Sequence, residues 1–393
     1  TYLNVGDQEQ EGGISIYKEG EVLVGWNGSN FVYEVRKLPG ATFKVTAGAD
    51  IYRADGTKVH SSGDVIAEQL TTGADGHVYL GNLHLGTYVV TETSSIDGYT
   101  INTNPQTVKI EYENQNVTVQ VESATIRNER QKAEVIVTKK DSDTDNPLIG
   151  GQYTLYAVDD IVNYDGEIIV SKGKALQTVT TNESGKATFS LDLPIANGYY
   201  VSETRAPEGY VRNSEDVYHF AFNCLSETQA KATFKHTFYN DRVTAKIKLS
   251  KVDADTQTAV PQGDASLKGA EYGVYARNDI YHPDGTTGIV FKANDLVATI
   301  ITDEKGKAQI SNLFLGNYYV KEIAPSEGYL LDEEEHDLVC NYEGDLVAEV
   351  TRSTVSAEVV MRQPFQLIKV SDDGEETNAP LVKGAGFMAY LKS

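Results

Sequence analysis

Two sets of three residues in this chain could do chemistry. Lys18, Glu92 and Asn128 form one set, and Lys139, Glu203 and Asn240 form the other. Within a set, Glu and Asn stand 36 or 37 residues apart, and each Asn precedes the next lysine by 11. An amine, a carboxyl group and a carboxamide offer a nucleophile, an acid–base group and a polar amide. Taken alone, such a trio makes a buried ion pair with a hydrogen-bonded amide, or lies exposed at strand ends. Residues this far apart meet only if the fold brings the end of a domain back to its beginning.

The elements that carry them repeat. Lys18 follows Ile14-Ser15-Ile16-Tyr17, and Lys139 follows Val135-Ile136-Val137-Thr138. Glu92 and Glu203 end tyrosine-bearing runs, Tyr88-Val89-Val90-Thr91-Glu92 and Tyr200-Val201-Ser202-Glu203, and a third run is Tyr319-Val320-Lys321-Glu322. A turn element recurs at Gly40-Ala41, Gly150-Gly151, Gly269-Ala270 and Gly384-Ala385, with periods of 110, 119 and 115 residues. Periods this long mean tandem domains that each bury a core, because solenoid units run about 20–50 residues. The expected division is 1–130, 131–243 and 244–363, with 364–393 as the start of a fourth repeat. No Gly-rich or Pro/Ser-rich linker separates the repeats, so an extended rod is expected.

Short alternating runs dominate, among them Ile14–Tyr17, Val117–Val121, Glu134–Thr138, Ala245–Leu249, Ile289–Phe291 and Asp345–Val350. Period-two runs between Asp-Gly and Glu-Gly turns specify all-β, immunoglobulin-like antiparallel sandwiches. A helical turn is expected before Asp50-Ile51, Asp160-Ile161 and Asp279-Ile280, and nothing longer. The first and last strands of such a sandwich can lie side by side. That arrangement would bring Lys and Asn together, with Glu across from them.

Composition narrows the function class. The 34 Lys+Arg against 57 Asp+Glu give a formal charge of −23, which argues against nucleic acid and anionic membrane as partners. The 24 tyrosines, against a single tryptophan, suit half-buried pleated surfaces. Cys224 and Cys340 fall in different repeats and are expected as buried free thiols. No apolar run approaches the ~20 residues of a membrane span, and no signal peptide opens the chain. Both ends look cut from something longer.

On its wording the chain resembles the collagen-adhesin B-type (CnaB, SpaA-like, prealbumin-fold) repeats of Gram-positive surface proteins. The wording is Lys-x-Asp-x-Asp-Thr from Lys251, Leu-x-Gly-Ala-x-Tyr-x-x-Tyr from Leu267, and Tyr-Tyr-Val-x-Glu from Tyr199 and Tyr318, each running on to Ala-Pro and Gly-Tyr. The resemblance implies a spontaneous isopeptide bond between a buried Lys and Asn, assisted by a buried Glu. Carried over by position, it implies Lys18–Asn128 with Glu92, and Lys139–Asn240 with Glu203. Burial would free the amine and raise the carboxyl pKa, and folding would supply proximity.

The third repeat departs from this pattern. Lys251 and Glu322 are in place, but Val355-Ser356-Ala357-Glu358-Val359-Val360-Met361-Arg362 holds no Asn or Asp. Counting 11 residues back from Lys369 gives Glu358, whereas aligning Arg362 with Arg130 and Arg242 gives Val360. Repeat 3 is therefore expected to keep a Lys251–Glu322 ion pair without a crosslink. Lys369 has no partners of this kind in the sequence that follows it.

Other signals are weaker. Asp141-Ser142-Asp143-Thr144-Asp145 begins like a calcium loop, but Asn146 and Gln152 stand at its Gly and Glu positions, so a strand-end turn is the better reading. Leu38-Pro39-Gly40-Ala41-Thr42 has the wrong order for a sortase signal. Asp50…Asp55-Gly56 and its two counterparts read as hairpins. The seven histidines show no paired spacing, and no metal or cofactor is expected. The sequence thus reads as a monomeric stalk, extracellular and anchored to the cell wall. The alternatives are an adhesin for host matrix protein or glycan, and a pilus subunit. An enzyme is not expected, because no catalytic grouping exists beyond the triads.

Overall fold

Alternation in the opening strand of each repeat decides what lies inside. Ile14, Ile16 and Lys18 share one face, as do Val135, Val137 and Lys139, and Ile247, Leu249 and Lys251, and all nine are buried. Each lysine therefore continues an apolar face into the core.

The computed structural model describes residues 8–367 and 386–389. Among them there are strands and turns and no helix. The chain divides into two compact units. The first comprises Thr1–Lys140, Pro147–Ala206 and Asn213–Tyr239, and the second comprises Asp141–Asn146, Pro207–Arg212 and Asn240–Ser393.

The first unit holds repeats 1 and 2. In repeat 1 the opening strand, Glu11–Trp26, lies between the closing strand, Val119–Asn128, and Phe31–Lys37, and it also pairs with His77–Leu83. Facing it is a sheet ordered Val65–Thr71, Thr42–Ala47, Gly86–Ser94 and Gln106–Ile110. Repeat 2 uses the same plan. Lys186–Phe189, Lys132–Asp141 and Lys231–Asn240 form one sheet, and Ala175–Thr180, Gln152–Ala157, Asn197–Arg205 and Val217–Phe222 form the other.

In the second unit, repeat 3 sets Lys307–Leu313, Thr244–Asp253 and Glu349–Glu358 against Leu296–Ile301, Glu271–Ala276, Gly316–Ala324 and His336–Cys340. All three repeats bury their apolar faces between the two sheets.

The expected antiparallel pattern fails at one pair of strands in repeats 1 and 3. The opening and closing strands run parallel, from Glu11↔Val119 to Gly20↔Asn128 and from Thr244↔Glu349 to Asp253↔Glu358. A whole domain separates them in sequence, so the long crossover that parallel pairing requires is available. The helical turns expected near Asp50, Asp160 and Asp279 are bends leading into two-stranded hairpins, such as Ile51–Tyr52 with Lys58–His60. Two alternating runs also begin too early. Asp345 and Leu346 form a turn after Gly344, whose φ of 113° suits glycine, and the closing strand starts only at Glu349. The run at Val117 likewise becomes strand only from Val119.

Gly40, Gly150 and Gly269 take φ of 93°, 91° and 88° at the recurring turn, which explains why glycine recurs there. The backbone N–H of Ala41, Gly151 and Ala270 each donates to a buried threonine hydroxyl, Thr72, Thr181 or Thr302. Of the two free cysteines, Cys340 is buried as expected. Cys224 is exposed, because it follows Val217–Phe222 in a surface loop.

Repeat 1 carries one added device. The segment between Lys18 and Leu38 is longer than its counterparts and extends the opening strand into a hairpin with Phe31–Lys37. Phe31 belongs to the core cluster of repeat 2, and Leu23, Trp26 and Tyr33 pack against that cluster. The Tyr164 N–H donates to the Leu23 carbonyl at 2.8 Å. The Arg130 guanidinium lies over the Tyr33 ring at 3.5 Å and bonds Asp192. Phe31→Ala should therefore lower the unfolding stability of repeat 2, although the residue belongs to repeat 1. The expected loss is about 3–5 kcal/mol by denaturant titration, the usual cost of a truncated core aromatic. An unchanged repeat 2 transition would contradict this packing.

Candidate functional site

In repeat 1 the fold assembles the predicted trio. Lys18 comes from the opening strand, Glu92 from the strand Gly86–Ser94 in the facing sheet, and Asn128 from the end of the closing strand. All three are buried, at 0%, 3% and 2% exposure. Lys18 Nζ lies 3.0 Å from Glu92 Oε1 and 3.1 Å from Oε2. Asn128 Nδ2 donates to the same Glu92 Oε1 at 2.8 Å. One carboxyl group thus touches both the amine and the carboxamide, as a proton relay between them requires. Burial holds the Lys18 amine below its ordinary pKa, against the opposing pull of Glu92. The amide oxygen of Asn128 is buried without a hydrogen-bond partner.

The carboxyl group is itself fixed by a contact that all three repeats share. Asn102 N–H donates to Glu92 Oε2 at 2.9 Å, Asn213 N–H to Glu203 Oε2 at 3.0 Å, and Asp332 N–H to Glu322 Oε2 at 2.9 Å. Each donor residue folds its own side chain into an Asx turn, accepting from the N–H groups of Asn104, Glu215 and Glu334 respectively. Sequence reasoning passed over these residues, but the signal was present. An Asn or Asp stands three positions after the Gly-Tyr pair in every repeat. Ser95, whose Oγ accepts from Asn128 Nδ2 at 2.8 Å, was also missed and has no repeat signature.

In repeat 2, Lys139 lies on Lys132–Asp141, Glu203 on Asn197–Arg205 and Asn240 at the end of Lys231–Asn240, and all three are buried. Lys231–Asn240 is the sheet neighbour of Lys132–Asp141. Tyr153 OH donates to Glu203 Oε1 at 3.2 Å. In repeat 1 the strand residue that pairs with the glutamate is Phe43, so repeat 1 lacks this hydroxyl, whereas repeat 3 has Tyr272 at the same position.

In repeat 3, Lys251 Nζ lies 3.0 Å from Glu322 Oε1, with both side chains fully buried. The strand register settles which residue takes the place of Asn. Tyr99, Tyr210 and Tyr329 bridge Arg130, Arg242 and Val360, so the position two residues earlier is Asn128, Asn240 and Glu358. Lys369 and Gly384-Ala385 lie outside the described residues.

The calcium-like stretch folds as a turn. Asp141 Oδ1 accepts the N–H groups of Asp143 and Thr144, and Asp253 does the same for Asp255 and Thr256. The other Asp141 oxygen accepts from Tyr210 OH.

Comparison with known proteins agrees with this plan. The SpaA family model, described as a prealbumin-like fold domain, matches residues 33–125, 133–237 and 245–354. The chain belongs to the SpaA prealbumin-like family. Among solved structures, this SpaA chain is similar to the Bacillus anthracis TIE protein, at 24% identity and a TM-score of 0.56. The match covers 89% of this chain and 51% of that one, so the chain spans about half the length of that relative. The major pilin subunit BcpA of Bacillus cereus matches at 16% identity and a TM-score of 0.33, over 89% of this chain and all of that one. The shaft pilin SpaA of Lactobacillus rhamnosus GG matches at 14% identity and a TM-score of 0.22, over 59% of this chain and 98% of that one. None of the curated proteins matches the chain in sequence.

Removing the shared carboxyl group tests the site. Glu92→Ala leaves a buried amine and a buried amide facing a void. In a variant that also carries Asn128→Ala, so that only the Lys18–Glu92 contact is compared, it should lower repeat 1 stability by about 3–5 kcal/mol relative to Asn128→Ala alone. Calorimetry of the two variants measures the difference, and equal midpoints would mean that the pair does not hold the strands.

Proposed function

We propose that this chain is a structural stalk of a cell-wall-associated bacterial surface protein, and that its first two repeats lock themselves covalently. In repeat 1 the neutral Lys18 amine attacks the Asn128 carboxamide carbon, a C–N bond forms, and the amide nitrogen leaves as ammonia. Glu92 takes a proton from the attacking nitrogen and hands it to the amide nitrogen that it already contacts, which then leaves as ammonia. Lys139, Asn240 and Glu203 are assigned the same roles in repeat 2. The step occurs once per repeat, with no turnover and no substrate.

One observation carries the reading: a buried lysine and a buried asparagine on neighbouring terminal strands contact the same buried carboxyl group. An ion pair alone has no use for the third member. The juxtaposition also substitutes for concentration, since oriented neighbours react as if at very high molarity. A covalent tie from first to last strand limits unravelling as a disulfide does. The two thiols cannot serve, because Cys224 is on the surface and Cys340 is inside repeat 3. An excess of acidic side chains keeps such a surface soluble and disfavours adsorption to anionic polymers.

Intact mass of the purified chain tests the chemistry. Each bond removes one ammonia, about 17 Da, and two losses are expected, mapping to Lys18–Asn128 and Lys139–Asn240 peptides. Glu92→Gln should abolish the first loss and leave the second. A full-length mass with no loss would overturn the reading. Binding of the isolated chain to matrix proteins or glycans would move the function from stalk to adhesin.

A further inference from the structure

Repeat 3 places a second buried acid where repeats 1 and 2 have asparagine. Glu358 is fully buried, and its Oε2 lies 3.2 Å from Lys251 Nζ, while Glu322 Oε1 lies 3.0 Å from the same amine. Tyr272 OH and Ser356 Oγ donate to Glu358 Oε1 at 2.8 and 2.7 Å. A third buried acid, Asp253, sits directly opposite Glu358 in the strand register. It is satisfied separately by the N–H groups of Asp255 and Thr256, the Gln262 amide and Tyr329 OH.

The charges do not balance. One cation faces Glu322 and Glu358 together, and full ionisation of both would leave an excess negative charge in a dry interior. Retaining one proton between the two carboxyl groups removes that excess, as happens when two acids share a site. We propose that repeat 3 is closed by a reversible clasp, in which Lys251 bridges Glu322 and Glu358 and the two carboxyl groups share one proton. This closure joins the same two strands that carry the crosslink in the proposal for repeat 1. It does not depend on that crosslink.

The sign of its pH dependence follows. The titratable and charged groups facing the clasp are Lys251 and Asp253 on the opening strand, Tyr272 on Glu271–Ala276, Glu322 on Gly316–Ala324 and Glu358 on the closing strand. Beyond these lie Tyr329 and Asp332 from the connecting loop, and His336, whose Nε2 is 3.7 Å from Asp332. The Tyr329 ring lies 5.0 Å from Lys251 Nζ. Burial pushes Glu322 above its ordinary 4.5, against the Asp332 N–H and Lys251, and the Glu358 charge adds to the rise. A carboxyl group raised in the folded state contributes stability that is complete below its unfolded pKa and lost as pH rises through the folded value. The clasp therefore loosens on the alkaline side. Asp253 works the other way. Its hydrogen bonds outweigh burial and hold it below 3.8, so its contribution is lost only in stronger acid.

Two native thiols make the test direct. Cys340 is buried in the repeat 3 core and reacts when that repeat opens, while Cys224 is exposed and reports intrinsic thiol reactivity. The full chain is pulse-labelled from pH 4 to pH 9 with a pyridyl disulfide, which reacts with thiols in acid as well as in base, and the ratio of Cys340 to Cys224 labelling is read by mass spectrometry. In the native chain the ratio should rise by about tenfold, the effect of one pKa unit of linkage. Glu322→Gln and Glu358→Gln each replace the shared proton with a neutral amide. Both should flatten the rise to less than about twofold and slow Cys340 labelling at pH 9. A flat native profile would overturn the clasp, and so would Gln variants that keep the native slope. A mass deficit of about 18 Da joining Lys251 to Glu358 would also overturn it, because the closure would then be a covalent amide formed with loss of water. Ammonia losses in repeats 1 and 2 have no bearing on these outcomes.

Discussion

The whole arrangement depends on burying a lysine amine between two sheets. An isolated ammonium in an apolar interior is prohibitively costly, so a fold that carries lysine on its inner face must supply an acid beside it. Repeats 1 and 3 do this with a glutamate from the facing sheet, held 3.0 Å away in both. The glutamate is positioned in turn by a backbone N–H from a local turn. What remains free to vary is the third position, at the end of the closing strand. In the proposed chemistry asparagine there would be a neutral acyl donor to the lysine, whereas glutamate gives a second acid. In these proposals one change of side chain would separate a site for covalent chemistry from one governed by protons.

Much of this was legible in the sequence. Lys18, Lys139 and Lys251 each fall two residues beyond an apolar inner position, so period-two alternation alone puts them inside. The Glu-to-Asn interval repeats because the same strands recur. What was not legible depends on register. Glu358 and Val360 were both admissible as the counterpart of Asn128, and the register decides between them through the Tyr329↔Val360 bridge and the pairing of Asp253 with Glu358. The parallel pairing of terminal strands was equally hidden, since alternation fixes which face a residue occupies and says nothing of strand direction. Cys224 read as core because its type is usually buried, yet its place in a loop after Phe222 overrides that preference.

The hairpin of repeat 1 shows a different limit. Its residues, Leu23, Trp26, Phe31 and Tyr33, look like ordinary core aliphatics and aromatics. They complete a core belonging to the next repeat. Hydrophobic patterning identifies a residue that must be covered but not the domain that covers it. The only trace of the answer in the sequence is the extra length between Lys18 and Leu38 relative to the other repeats.

The parallel pairing of the opening and closing strands has a mechanical consequence. Tension entering at Glu11 and leaving at Asn128 pulls the two strands in opposite directions along their length, so the ladder between them is loaded in shear and its bonds share the load. Lys18 and Asn128 lie where the closing strand ends. A bond between them would carry tension straight across and leave residues 19–127 outside the loaded path. In repeat 3 the same crossing at Lys251 and Glu358 is ionic. If it parts, residues 252–357 can pay out on the order of 350 Å of chain. If repeats 1 and 2 carry the proposed bonds, a tether built this way would combine inextensible links with one that lengthens under load and closes again when the load is removed.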